Sequence, residues 1–456
     1  MKEQILKLAI LVIGITALFA ACRPKELQVE NPLTSSVTPA EWTRNVVLYE
    51  VNVRQFSDEG TFSGVTEALP RLKELGVNVL WFMPIHPIGE INRKGELGSY
   101  YSISDYKAVN PEFGTLEDFK FLVNEAHKMG MYIMLDWVGN HSAWDNVIMS
   151  QNPEWYQKDS VGNFVSPYDW TDVIQFDYTV MPLWDYMIGS MRYWVEEVGV
   201  DGYRCDYPGQ VPEEFWFRAT TELNSIKPVL MLAEDEANSI LLERAFDMNY
   251  AWGHHHLMNS VAAGKRHPSA LDTMLQRELK YYPEDSYRLR FLDNHDENSW
   301  NGTVQERLGD ADKAFAAYIF TIPGVPLLYN GQEAGLDKRL KFFERDPIEW
   351  KESELTDFYS TLVHLRTSHP ALRHGKQGGS FEVIATNNKK VYAYQRVKDD
   401  ASVAVILNFS ANETSVVITG SIEAKKYVNV FSGEEFELTK GTSVQLQPWG
   451  FLVLKN

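Results

Sequence analysis

The sequence predicts an α/β chain built on a closed (β/α)8 barrel, with a short excursion after its third strand and a C-terminal antiparallel β-sandwich domain. Three observations carry this. An apolar run, a loop, an amphipathic stretch and a glycine recur along some 330 residues, as parallel strands joined by helical crossovers require. Acidic residues recur at the ends of the apolar runs. After about residue 375 the pattern changes to short alternating runs separated by Gly, Asn, Asp and Ser.

The chain has 456 residues. Its first 22 read as an exported leader. Lys2 and Lys7 are basic, residues 8–21 carry no charge, and small residues precede Cys22. The run is short for a membrane span of ~20 residues. Residues 23–40, with Pro24, Pro32 and Pro39, read as a tether.

The barrel is expected over residues 41–375. Residues 46–51 are the first buried strand. Val65, Leu69, Leu72 and Leu75 follow at helical spacing, with Gly76 as cap and Pro70 near enough to the first turn to be tolerated. Residues 77–83 form the second strand, stopped by Pro84. Thr115 caps a helix whose Phe119, Val123 and Ala126 share a face, and residues 131–135 end at Asp136. Helix 187–198 leads to a strand over 200–205 that ends at Asp206. Helix 215–226 leads to 229–233, which ends at Glu234. Residues 289–292 and 325–329 are further strands, and 311–321 and 358–365 further helices. Residues 142–172 have little periodicity and read as the excursion; loops of that length usually serve function. His254-His255-His256 reads as a loop after a strand. Residues 376–456 form the β domain, with strands expected over 391–397, 402–409, 415–419, 427–431, 435–438 and 443–446.

A hydrophobic content of 44% with 23% charged residues is that of a globular chain. The formal charge of −19 argues against nucleic acid, which needs a basic face. Two cysteines, Cys22 and Cys205, exclude a disulfide scaffold and a cysteine-rich zinc site. Cys205 lies in an apolar run and is expected to be a buried, inert thiol. No Gly-x-Gly-x-x-Gly follows the first strand, which weakens a dinucleotide-binding alternative.

In a (β/α)8 barrel the chemistry sits at the C-terminal ends of the strands. Here those ends carry Asp136, Asp206, Glu234 and Asp296. An acid at the edge of an apolar strand is unfavourable unless paired or used. Several carboxylates around one cleft suit cleavage of a glycosidic bond, which needs one protonated acid and one ionised partner. A metal site remains an alternative, with His141 and His295 at hand.

These motifs resemble the α-amylase family of glycoside hydrolases (family 13), over about residues 45–450. Asp136-Trp-Val-Gly-Asn140-His141, Gly202-Tyr-Arg204-Cys-Asp206, Glu234 in Leu-Ala-Glu-Asp-Glu, and Phe291-Leu-Asp-Asn294-His295-Asp296 stand in the family's order, and residues 324–333 resemble its eighth-strand segment. The resemblance implies Asp206 as nucleophile, Glu234 as general acid and base, and Asp296 as the brace of the distorted sugar. It implies substrate contacts from Tyr101, His141, Arg204 and His295, with Asp136 orienting Arg204. Glu236 is the rival for Glu234, expected further out.

The implied activity is retaining hydrolysis of α-1,4-glucosidic bonds in starch or maltooligosaccharides. A transglycosylase or isomerase, an α-glucosidase, and a non-catalytic glucan-binding lipoprotein are the alternatives. No cofactor is implied for the chemistry. Asn140 is an oxygen donor for calcium, but Tyr207-Pro208-Gly209 replaces the family's Lys-His pair and the excursion is short, so a tightly held calcium is not expected at the usual place. The leader resembles a bacterial lipoprotein signal with Cys22 lipidated. The expected setting is the cell envelope, on the outer membrane at its periplasmic or surface face. The expected partners are an α-glucan and, through the lipid, a membrane.

Overall fold

The computed structural model describes residues 37–420, 422 and 425–456. The leader, Cys22 and most of the tether lie outside the described residues. Eight parallel strands close a TIM barrel. They are β1 (Leu48–Val51), β2 (Val79–Phe82), β3 (Tyr132–Val138), β6 (Gly202–Asp206), β7 (Leu230–Ala233), β8 (Met248–Tyr250), β9 (Tyr287–Phe291) and β10 (Val325–Tyr329). Between β3 and β6 lies a two-stranded antiparallel ribbon, β4 (His141–Ala143) with β5 (Val173–Gln175), which clasps the base of the excursion.

Alternation along each strand sorts its side chains into two cores. Leu48, Trp81, Met134, Leu232, Leu289 and Leu327 fill the barrel interior. Tyr49, Leu80, Leu135, Tyr203, Met231 and Leu328 face outward to the helices. The same alternation turns Glu50, Asp136, Arg204 and Asp206 inward, where the tops of the strands converge.

The structure bears out some expectations and corrects others. The helix after β1 spans Phe62–Leu75, so Pro70 lies in its interior, on the exposed face where the unpaired carbonyl can meet water. The helix Leu116–Lys128 starts at a full capping box between Thr115 and Asp118. β3 continues to Val138, so Asp136 sits within the strand and is buried. The sixth barrel strand, β8, was not expected. It is three residues long and contains the polar Asn249, which accepts from Arg288, so it lacks an apolar run. The histidine tract lies on the helix Trp252–Ala262 and not in a loop. His254 and His255 are buried, against Tyr318 (2.9 Å) and Glu297 (3.0 Å) respectively. Cys205 is a buried free thiol.

The C-terminal region is antiparallel. A six-stranded sheet has the order β11 (Ser380–Val383), β12 (Val391–Lys398), β13 (Ala401–Asn408), β18 (Phe451–Lys455), β15 (Lys425–Asn429), β16 (Glu435–Leu438); β14 (Thr414–Val417) pairs with β17 (Ser443–Leu446). Ile406 and Leu454 of the first sheet share a core with Val416 and Leu446 of the second. β11 and β18 add to the expected strands. The large sheet rests on the barrel helix Asp312–Thr321, where Phe315 stacks on Phe409 with ring centroids 4.7 Å apart. Among the described residues no helix is long and apolar enough to cross a membrane.

Candidate active site

Arg204 is the hub of the rim. Its side chain is fully buried, and Nη1 donates to both oxygens of Asp136 (2.9 and 3.1 Å) and to Asp206 (3.0 Å). Nη2 lies 2.7 Å from Glu234. Nε donates to the Tyr250 hydroxyl at 3.3 Å. The guanidinium carbon lies 5.3 Å from the Trp81 ring centroid. The cation is thus fixed by strand residues from β2, β3, β6 and β8, and it touches two carboxylates whose oxygens reach the cleft.

A second cluster stands beside it. The Tyr101 hydroxyl is 2.8 Å from Nε2 of His295 and donates to Asp136 at 3.1 Å. Asp296 lies 3.3 Å from the same Nε2. On the far side of the ring, Nδ1 meets Glu50. Burial alone would lower the His295 pKa, but Asp296 and Glu50 outweigh it and raise it to about 9. The imidazole is therefore a cation at neutral pH.

Charge counting then constrains the acids. Glu50, Asp136, Asp206, Glu234 and Asp296 surround two cations, Arg204 and His295. Burial pushes the Glu234 carboxyl well above the usual carboxylate range, and Asp206 and Asp296 push it further, against the pull of Arg204. Glu234 is thus an acid that keeps its proton; burial also raises Asp136, to about 7, against the pull of Arg204. Oε2 of Glu234 also accepts from the Tyr207 backbone N–H (3.1 Å), an N–H presented by a residue with φ of 45°.

The cleft holds about 600 Å³. Tyr101, His141, Asp206, Glu234, His295 and Asp296 line it, with Trp170, Tyr207, Trp300 and Phe342 as aromatic walls. Tyr101 and Phe342 are stacked, with centroids 6.3 Å apart. His141 meets the Trp170 ring edgewise at 5.5 Å, and burial lowers its pKa. This is a polar-floored, aromatic-walled slot, suited to a sugar ring with its apolar faces and ring of hydroxyls.

The structure brings Asp206, Glu234, Asp296, Tyr101, His141 and His295 to one cleft. Asp136 lies beneath it, on Arg204. Glu236 is directed elsewhere, to Arg288 and the Gly253 N–H (2.7 Å). Sequence reasoning missed Glu50, Trp81, Tyr250, Trp170, Tyr207, Trp300 and Phe342. Glu50 alone carried a usable signal, an acid near the end of the first apolar run.

The backbone oxygens around Asn140 are hydrogen-bonded within the protein. The Asn140 carbonyl accepts from the Phe176 N–H (3.1 Å), the Gly139 carbonyl from Tyr178 (2.6 Å), and the Pro208 carbonyl from the Trp216 indole (3.1 Å). The neighbouring Asp172 is paired with Lys94 at 3.2 Å. Three backbone carbonyls here thus each hold a protein donor, and Asp172 holds a lysine.

Known proteins resemble this chain in sequence and in fold. The family model described as the α-amylase catalytic domain matches residues 36–170 and 242–359. That for the C-terminal domain of maltogenic amylase matches residues 381–453. A maltogenic α-amylase from Thermotoga neapolitana superposes with a TM-score of 0.83 at 32% identity, covering 90% of this chain and 98% of that one. Neopullulanase 2 of Thermoactinomyces vulgaris is 27% identical over 92% of this chain and 79% of its own length. An α-amylase of Haloarcula japonica is 27% identical over 85% of this chain, which spans 59% of the length of that relative.

Proposed function

The chain belongs to the α-amylase family of glycoside hydrolases, and on that premise we propose that it cleaves α-1,4-glucosidic bonds of starch or maltooligosaccharides with retention. The observation that carries this reading is the sharing of one buried guanidinium by Asp206 and Glu234. A common anchor keeps the two carboxyl groups close. That favours the roughly 5–5.5 Å of retaining enzymes over the roughly 6.5–9.5 Å that admits a water in inverting ones.

In the first displacement Asp206 attacks the anomeric carbon while Glu234 passes its proton to the departing glycosidic oxygen. A β-glycosyl ester on Asp206 results. In the second, Glu234 takes a proton from water, the water oxygen bonds to the anomeric carbon, and the ester to Asp206 breaks. Asp296 and the His295 cation hold ring hydroxyls, His141 adds a neutral hydrogen-bonding edge, and Tyr101 packs against the sugar. Asp136 positions Arg204. The relatives named for maltogenic amylase and neopullulanase support an α-glucan substrate.

Transfer to a sugar acceptor is the second reading. It is favoured by an adjoining pocket, lined by Tyr207, Glu234, Asp235 and Trp252, that offers room on the side where an aglycone leaves or an acceptor enters. Product analysis at high maltose separates the two. We also propose that Cys22 is lipidated and tethers the enzyme to the cell envelope; labelling of the wild type but not of a Cys22→Ala variant with radioactive palmitate is the expected result, and an unlabelled wild type overturns it.

The main test gives the chain from residue 23 soluble starch and maltoheptaose, beside an Asp206→Asn control. Release of maltooligosaccharides by the wild type and a loss of several orders of magnitude in the control are expected. A protein that binds glucan without cleaving it contradicts the catalytic reading. One that does neither contradicts the α-glucan assignment.

A further inference from the structure

A third cavity, of about 280 Å³, lies between the outward face of β9, the Pro323–Gly324 turn into β10, and the segment that enters β11. It is on the side of the barrel where β10 begins, away from the carboxylate cleft. Its charge is unusual. Arg290 and Arg396 line it, both 2% exposed, and Arg366 is fully buried behind them. Arg366 donates to the carbonyls of Phe320 (3.3 Å), Ile322 (3.0 Å) and Gly324 and contacts His374. Arg396 donates to those of Gly379 (3.2 Å) and Thr321 (3.4 Å). Among the described residues neither has a carboxylate within ion-pair distance.

Only Glu278 answers from within. It pairs with Arg290 at 2.5 Å and is shared with Arg288 at 3.7 Å and with His254 at 3.5 Å. Arg288 is also paired with Glu236. The C-terminus of the helix Asp312–Thr321 contributes about half a negative charge through the carbonyls that Arg366 and Arg396 cap. That offsets part of two cations and leaves an excess. Burying a charge without an ionic partner is strongly unfavourable.

Two guanidinium donors in its wall are unpaired, and the backbone approaches closely. Nη1 of Arg290 is buried with no hydrogen-bond partner, as is Nε of Arg288. Gly378 lets the backbone come so near Arg396 that a Cβ there would lie 2.8 Å from Nη2. At Gly324 a Cβ would meet the Arg290 side chain at the same distance. Lys376 and Arg373 stand at the rim, each beside an acid; Lys376 lies 3.2 Å from Asp285, Arg373 is 3.8 Å from Glu41, and the exposed Glu284 joins Glu278 as a second acid on the wall.

We propose that this cavity binds a small oxyanion of the phosphate or sulfate class, free or as the ester of a small metabolite, held by Arg290 and Arg396. Planar guanidinia with fixed donors suit such tetrahedral anions. The site is independent of glycoside cleavage and makes the junction between barrel and β domain sensitive to the anion.

Thermal unfolding and calorimetric titration of the full chain test it, with inorganic phosphate added at an ionic strength held constant with chloride. A saturable rise in Tm and a one-site isotherm are expected. Arg396→Gln is expected to abolish the isotherm. Because that buried change can prevent folding, the rim variant Lys376→Gln is run beside it; it is expected to weaken phosphate several-fold and leave maltoheptaose cleavage unchanged. Tighter binding of glucose 1-phosphate than of phosphate identifies an ester as the ligand, and the reverse identifies the free anion. A Tm shift by phosphate no larger than that by chloride overturns the proposal, as does unchanged phosphate affinity in Lys376→Gln.

Discussion

Nδ1 of His295 lies 2.5 Å from a carboxylate oxygen of Glu50, and both side chains are buried. The pair, with Asp296, raises the His295 pKa to about 9. The folded value stands above the unfolded value of about 6.5. The contribution of the protonated ring is therefore complete below about pH 6.5, declines as pH rises, and is lost above about 9. At about 1.4 kcal/mol per unit it amounts to roughly 3 kcal/mol. In Glu50→Gln the imidazole should titrate at a markedly lower pH by NMR, and the fall in unfolding free energy between about pH 6.5 and 9 should shrink. An unchanged imidazole titration would show that Asp296 alone sustains the cation.

Much of the barrel could be read from the sequence because buried parallel strands are short, apolar and ended by acids. What escaped has a physical reason in each case. β8 escaped because Met248–Tyr250 has only three residues, and burial of Asn249 depends on Arg288 from the next strand. Glu50 escaped because its role depends on His295, 245 positions away. Trp81, Tyr250 and Phe342 escaped because aromatic residues in core and in cleft look alike until the strands are closed. Arg204 and Asp206 were legible because two residues on one strand must share a face.

Glu234 should behave as the group that carries the proton. Burial, then Asp206 and Asp296, hold its pKa well above the carboxylate range. The wild-type kcat/KM should therefore stay high through neutrality and fall as pH rises through the Glu234 value. Glu234→Gln should lose this basic limb and about 10²–10⁴ in kcat on maltoheptaose. With α-maltosyl fluoride, whose leaving group needs no proton, the variant should still form the Asp206 ester and release it slowly. Intact-protein mass spectrometry should find the protein heavier by one maltosyl group; an unmodified protein under these conditions would contradict Asp206 as nucleophile.

The Tyr168 and Tyr207 hydroxyls are 2.7 Å apart, and both residues hold left-handed backbone, with φ of 52° and 45°. The pair joins the excursion to the loop after β6, where Tyr207 borders both the carboxylate cleft and the adjoining pocket. Backbone strain on each side of one contact marks a wall held for a purpose. Tyr168→Phe keeps the ring and removes a hydrogen bond of about 1 kcal/mol. KM for maltoheptaose should rise about fivefold, while kcat and the kinetics on 4-nitrophenyl α-glucoside stay near wild type. An equal change on both substrates would mean that the pair supports the fold of the excursion and not the leaving-group side.

Arg204→Lys tests whether a single cation can be exchanged for another of equal charge. The guanidinium spans Asp136, Asp206 and Glu234 with two terminal nitrogens and reaches Tyr250 with a third. An ammonium offers one point of attachment and cannot reproduce that spread. Asp136, whose side chain is fully buried, would lose the Nη1 donor that meets both its oxygens, and breaking a buried pair is worth about 3–5 kcal/mol of stability. A substantial fall in Tm is expected, with kcat reduced by at least two orders of magnitude and KM much less affected, because the loss falls on the alignment of Asp206 and Glu234. In Arg204→Lys combined with Asp136→Asn, stability should recover as the buried charge is removed, while kcat stays low. Recovery of kcat along with stability would show that Arg204 serves the fold alone.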